Sequence, residues 1–372
     1  MRVLIAPDKF KGSCNAAAVA SAIETGLRDV WGAKATYRSL PMADGGEGTV
    51  DAFIASGAVP RRVTVRGPLG DPTLATYARD GDAAIIEMAA ASGLALLGET
   101  RAARYATTFG TGELIRDALD QGAKRIVLGI GGSATTDGGA GALAALGAVF
   151  IDGAGRPLIP HPQALSSIAS VDLGAVDARL RNVPISVACD VDNPLLGPSG
   201  AAAIYGPQKG ATIEDIAFLD EMLGRYADVA ARATGHDLRS TPGAGAAGGL
   251  GFGLATFLGA RLAPGFTLIA EQRGLGAALA DATLCITGEG RIDEQTLRGK
   301  VVAGVAKLAK PRGLAIIAFG GSIDVAAESA LAALGVACFP IVAGPMSLGD
   351  AMKHAPDLIR AAAARFARVR PL

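Results

Sequence analysis

The first thirty residues, MRVLIAPDKFKGSCNAAAVASAIETGLRDV (1–30), carry the pattern that decides the fold. The apolar run at 2–6 is short and ends at Pro7 and Asp8, so it reads as a strand and not as a signal peptide. The loop PDKFKGS follows. Ser13 stands where a hydroxyl can cap a helix, and Val19, Ile23, Leu27 and Val30 recur behind it at helical spacing. Strand, glycine-bearing loop and amphipathic helix in succession are the grammar of an α/β protein.

That grammar returns along the chain. ATYRSL (35–40), RIVLGI (125–130), PISVACD (184–190), ATLCIT (282–287), LAIIAF (314–319) and VACFPI (336–341) read as strands. Helices are predicted over about 108–121, 214–233, 300–309 and 350–368. Apolar strands alternating with helices predict a mostly parallel sheet, buried on both faces. Residues 61–87 differ: short alternating runs broken by Gly-Pro and Asp-Gly predict antiparallel hairpins, and with them a second domain inserted into the first.

Composition narrows the function. The chain has 372 residues, half of them hydrophobic, with 35 basic and 35 acidic side chains. With no basic block, it lacks the positive excess that a nucleic-acid backbone demands. Cys14, Cys189, Cys285 and Cys338 are scattered without a CxxC pair, as expected of small buried residues in a reducing cytoplasm. His161, His236 and His354 form no metal motif. The uncharged stretch between Arg239 and Arg261 is long enough to span a bilayer, but seven glycines in 243–260 favour a glycine turn running into a buried helix.

Ligands of an open parallel sheet bind beyond the carboxyl ends of its strands, so the loops that follow them matter most. Asp8, Lys9 and Lys11 follow the first strand, and the glycine hinge of Asp44, Gly45, Gly46 and Glu47 follows the second. Later loops are GGSATTDGGAG (131–141), DVDNPLLGPSG (190–200) and GEGRIDEQT (288–296). Asp190, Asp192 and Asn193 offer hard oxygens of the kind that suits Mg²⁺ carried by a nucleotide. One of the aspartates can instead serve as a general base, and the trio equally suits an Asx turn before Pro194. Glu289 and Asp293 flank Arg291, with Lys300 beyond, which suits either a surface ion pair or a fork for a substrate carboxylate.

Gly129-x-Gly131-x-x-Ala134, with Asp152 downstream, matches a relaxed dinucleotide fingerprint and raises the alternative of an NAD-dependent oxidoreductase on a small hydroxy acid. GAGAAG (243–248) satisfies the same spacing without a strand before it, so in a chain with 51 glycines the pattern is weak. The loop can equally cradle a phosphate or carboxylate. A Walker A loop is absent, since Gly299 and Lys300 are followed by Val301. From residues alone the chain reads as a cytoplasmic two-domain enzyme with an acidic, glycine-rich site for a small anion. A non-catalytic anion-binding protein is a third class.

The chain also resembles a family: the bacterial glycerate kinases of the non-Walker type, which act on D-glycerate with ATP. The resemblance runs nearly end to end, through IAPDKFKGS (5–13), PMADGGEGT (41–49), IEMAAASGL (86–94), TTFGTGELI (107–115), IGGSATTDGGAG (130–141), ACDVDNPLLGPSGAA (188–202), GPQKGA (206–211), PGAGAAGGLGFG (242–253) and ITGEGRIDEQTLRGK (286–300). Lys9, Cys14 and Thr136 depart from the residues frequent there. The resemblance implies one Rossmann- or flavodoxin-like parallel-sheet domain, at 1–60 with 275–372, and an inserted mixed α/β domain at 61–274, part of 105–135 being open to either. It implies a kinase producing 2- or 3-phosphoglycerate, using ATP and Mg²⁺, as a monomer or homodimer with neither nucleic acid nor membrane as partner.

Residue roles follow from the same resemblance. Asp190 would take the hydroxyl proton, with Asp192 and Asn193 toward the metal. Lys11 and Arg291 would neutralise the glycerate carboxylate and the transferring phosphate. Gly131, Gly132, Ser133, Thr136 and Asp137 would bind one anionic group. Asp44, Gly45, Gly46 and Glu47 would line the site, orienting substrate hydroxyls or water around the magnesium. Asp8, Lys209, Glu289, Asp293 and Lys300 complete the binding set.

Overall fold

A computed structural model describes residues 1–372. Thirteen strands run along the chain: β1 (Arg2–Ile5), β2 (Thr36–Ser39), β3 (Val59–Arg66), β4 (Pro72–Asp80), β5 (Ala83–Glu87), β6 (Arg125–Gly129), β7 (Val149–Asp152), β8 (Ile168–Asp172), β9 (Ile185–Ala188), β10 (Arg261–Ala263), β11 (Leu284–Ile292), β12 (Ala315–Ile323) and β13 (Val336–Pro340). They divide between two compact units. The first comprises Met1–Asp44, Asp51–Gly57 and Pro264–Leu372; the second comprises Gly45–Val50 and Ala58–Ala263.

The first unit holds a five-stranded sheet in the order β13-β12-β11-β1-β2, parallel throughout. Val3, Ile5, Leu284, Ile286, Ile317 and Phe319 pack against Val19, Ile23 and Leu27 of the first helix and Ile359 and Phe366 of the last. The first helix spans Ala16–Trp31, and its cap is Asn15, whose side chain accepts from Ala18 N at 2.9 Å. Ser13, predicted for that task, donates instead to the Met352 carbonyl at 2.7 Å. The helical stripe continues from Leu27 by four residues to the buried Trp31, leaving Val30 exposed. The predicted helix 350–368 is two helices, Leu348–Lys353 and Ala355–Val369, because Pro356 disfavours a continuous helix and suits the first turn of a new one.

The second unit holds a six-stranded mixed sheet, β10-β9-β6-β5-β4-β3. β3, β4 and β5 form the antiparallel hairpins expected at 61–87, whereas β5, β6, β9 and β10 run parallel. β7 and β8 make a separate antiparallel ribbon. Tyr77, Ile86, Leu128 and Val187 pack against helical Leu114, Ile115 and Leu254. The glycine-rich stretch forms a buried helix, Ala246–Leu258, interrupted near its start by left-handed backbone at Ala247, Gly248 and Gly249. No helix is long and apolar enough to cross a membrane.

Candidate active site

In the first unit, backbone hydrogen bonds continue past the end of β1. Asp8 N donates to the Gly288 carbonyl at 2.9 Å, and Met42 N donates to that of Pro7 at 2.9 Å. These bonds carry Asp8 alongside Glu289 on one side and lead toward Asp44 on the other. Glu289 was expected on a loop after 282–287. It stands instead within β11, which runs on to Ile292 because its pairing with β12 extends from Leu284 to Ile292.

Strand placement buries Glu289 to 5 % exposure and Asp8 to 7 %. Asp8 keeps one hydrogen bond, from Lys9 N to Oδ1 at 2.7 Å. Burial first, and then the charge of Asp44, push its carboxyl up to about 7. Burial likewise pushes Glu289 up to about 7, with Asp293 and Asp44 adding repulsion while a hydrogen bond from Thr296 and the charge of Lys300 act against it. Glu289 Oε1 is buried with no hydrogen-bond partner.

The other expected residues of this unit lie nearer the surface. Arg291 is exposed and pairs with Asp293 at 3.2 Å. Asp293 caps the next short helix, accepting from Gln295 N at 2.9 Å. Lys300 donates to Gln295 Oε1 at 3.3 Å, and Lys11 is exposed.

In the second unit the site is the turn after β6. Gly131 and Gly132 are exposed, whereas Ser133, Thr136 and Asp137 are buried beneath them. The turn is strapped on one side, Leu94 N donating to Gly132 O at 2.8 Å and Ala134 N to Ser92 O at 3.0 Å. On the other, Gly138 N donates to Gly248 O at 3.0 Å. Asp137 does not reach the surface. Its carboxylate accepts from Thr108 N (2.7 Å), Thr108 Oγ1 (2.9 Å), Thr107 Oγ1 (3.2 Å), Gly139 N (3.1 Å) and Gly141 N (3.1 Å). Burial pushes its pKa up against these donors. Lys209 lies under the same turn, 2 % exposed, donating to the Thr135 carbonyl at 2.5 Å. Burial lowers it to about 7, opposed by the charge of Asp137. Ser133 Oγ accepts from Thr135 N at 3.0 Å, and Thr136 Oγ1 is buried without a partner.

Gly45 and Gly46 of the glycine hinge lie on this turn. A methyl on Gly129 would overlap the Gly45 carbonyl, and one on Gly131 would sit 3.6 Å from Gly46 Cα. Gly45 has φ +84°, which an L side chain rarely adopts. Glu47 is exposed, and Glu87 Oε1 accepts from Val50 N at 2.8 Å. Thr107, Thr108 and Glu87 brace these loops, and sequence reasoning assigns them no role. Two hydroxyls ahead of the helix at Phe109–Asp120 were the available signal.

Beyond β9, Asp190 and Asp192 are exposed. Asn193 is committed to the fold, Oδ1 accepting from Tyr205 Oη at 2.6 Å and Nδ2 donating to Ser199 O at 2.8 Å. No group of three or more His, Cys, Asp and Glu side chains is placed to hold a metal ion.

The dinucleotide reading does not survive. A fingerprint glycine turn opens directly into a helix, yet here the helix after β6 starts only at Ala140. Asp152 cannot serve a ribose, since it is spent on Ala154 N, Arg156 N and the Arg156 guanidinium within its own turn.

Comparison with known proteins agrees with the kinase resemblance. The model of the glycerate kinase family matches residues 3–370. A glycerate kinase of Bacillus subtilis (strain 168) is 49% identical, covering 96% of this chain and 94% of its own length. A glycerate 2-kinase of Escherichia coli (strain K12) is 47% identical, covering 87% and 86%. A solved structure described as a glycerate kinase 2 of Salmonella typhimurium LT2 superposes with a TM-score of 0.91 at 45% identity, covering 100% of this chain and 98% of that one. With an acid-lined strand edge in one unit, a braced glycine turn in the other and a match along nearly its whole length, the chain belongs to the glycerate kinase family.

Proposed function

We propose that this enzyme transfers the γ-phosphoryl group of ATP to the 2-hydroxyl of D-glycerate. The family match supports a kinase acting on glycerate. The name of the Escherichia coli relative, a glycerate 2-kinase, supports the 2-position. The structural observation that carries the reading is the contrast between the two loci. Asp8, Asp44 and Glu289 crowd negative charge at the end of β1 and β11, where a hydroxyl donor is welcome and an anion is not. The turn at Gly131 and Gly132 presents exposed backbone over the buried Lys209 and Asp137, and backbone N–H groups of such a turn suit an anion.

Phosphoryl transfer asks a protein mainly for positioning and charge compensation. The Gly131–Gly132 backbone would hold a phosphate group, with Ser133, Thr136, Asp137 and Lys209 keeping the turn's shape from below. Arg291, Lys300 and Lys11 supply positive charge near the acid-lined edge, for the glycerate carboxylate and the transferring phosphate. Of the predicted Asp192 and Asn193 pair, Asn193 Oδ1 already accepts from Tyr205 and would offer magnesium only its second lone pair, which leaves Asp192 as the pair's charged ligand. Such an ion would come with the nucleotide, held mainly by phosphate oxygens and water.

Purified protein supplied with MgATP should release ADP when D-glycerate is added and not before. ADP release that ignores D-glycerate would remove glycerate as the acceptor.

A further inference from the structure

We propose that Glu289 is the general base that accepts the proton of the attacking glycerate hydroxyl, with Asp8 and Asp44 as positioning residues beside it. The inference rests on the phosphoryl-transfer reading above. It starts from an orphan atom: Glu289 is 5 % exposed, and its Oε1 is buried with no hydrogen-bond partner. A buried acceptor left unpaired costs free energy unless a ligand completes it, and native folds keep few of them. Its other interactions are accounted for by Thr296 and by the surrounding charges.

The surroundings choose the ligand. Asp8 and Lys9 face the site from the end of β1, Asp44 from beyond β2, and Asp293 and Lys300 from the segment after β11. Three carboxylates at one strand edge repel an anion, and no set of acidic side chains here has the arrangement that holds a metal ion. A neutral hydroxyl satisfies Oε1 directly, as donor. The same crowding supports a proton exchange near neutrality, since both Asp8 and Glu289 are raised to about 7. A base is most effective when its pKa lies near the working pH. Asp190, the residue first expected in this role, is exposed at the end of β9 and lacks this burial.

The step balances without a further reactant. The hydroxyl proton passes to Glu289, and the oxygen forms a bond to the γ-phosphorus. The bond from that phosphorus to the bridging oxygen breaks, and ADP leaves with the electron pair. The carboxyl returns its proton to solvent once product departs.

The test is steady-state kinetics of the full chain with MgATP and D-glycerate across about pH 5 to 9 (about 2 units either side of the base's pKa). Glu289→Gln preserves shape and hydrogen bonding, and its kcat should fall by about 10²- to 10⁴-fold with the KM for ATP retained. Wild-type kcat should decline as pH falls through about 7, as the base becomes protonated. Asp44→Asn removes a neighbouring negative charge and should move that decline to lower pH, a shift that a merely structural residue would not produce. In Asp190→Asn the decline should stay where it is, whatever the rate.

Glu289→Gln with more than about a tenth of wild-type kcat would overturn the assignment, since general bases contribute at least about 10². So would an Asp44→Asn profile superimposed on wild type, and that comparison decides alone if Glu289→Gln fails to fold. Wild type with no glycerate-dependent turnover would instead remove the phosphoryl-transfer reading itself.

Discussion

Asp8 combines burial with a neighbouring negative charge, and a stability consequence follows. Its carboxyl rises from an ordinary value of 3.8 to about 7 in the fold. Between those values the native state holds more protons than the unfolded chain, so this group's contribution falls as pH rises and is most favourable in acid. Asp8→Asn should therefore stabilise the protein at pH 8, by on the order of 1 to 2 kcal/mol, with the gain fading toward pH 4. Thermal unfolding at the two pH values measures it; equal shifts at both would refute the linkage. Asp137 predicts the opposite. Its carboxylate gathers five donors in the interior, and an amide would turn an N–H toward some of them. Asp137→Asn should destabilise the fold by about 2 to 4 kcal/mol and raise the KM for ATP, whereas an unchanged melting temperature would show that the donors are not held by this charge.

At the scale of elements, the turn after β6 owes its shape to glycines of distant segments. Gly248 sits at φ +67°, and a methyl there would overlap the Thr135 carbonyl. Gly248→Ala should cost more than about 3 kcal/mol, while Gly153→Ala, with nothing within 4 Å of the added methyl, should stay within about 0.5 kcal/mol. Chemical denaturation distinguishes them, and similar midpoints would contradict the packing. The elements themselves were legible where periodicity and punctuation agreed: β1, β6 and the helices at Phe109–Asp120 and Ile213–Thr234 lie where the pattern put them. The pattern missed what partners decide. β11 and β12 both run beyond their apolar cores, to Ile292 and Ile323, because they pair with each other, and that extension turns Glu289 from a loop residue into a buried strand residue. Asn15 caps in place of Ser13 because Ser13 is drawn to the Met352 carbonyl, more than three hundred residues away.

At the scale of the whole molecule, zero net charge leaves the work to local arrangement: carboxylates crowded at Asp8, Asp44 and Glu289, and exposed backbone at the Gly131–Gly132 turn with Asp137 and Lys209 buried together beneath it. Loop residues of both loci were visible as acids and glycines after strands. Their division of labour was not, because it depends on burial: Asp137 and Lys209 read as ligand contacts in sequence and lie under the turn in the fold. The alternative of nicotinamide chemistry likewise rested on spacing alone and failed once Asp152 was found closed on its own turn. The measurement that tests the account most directly is a phosphorus NMR spectrum of the purified protein incubated with MgATP and D-glycerate. The account predicts ADP and 2-phosphoglycerate in equal amounts. A 3-phosphoglycerate signal would contradict the assigned hydroxyl, and intact ATP at saturating glycerate would contradict the function.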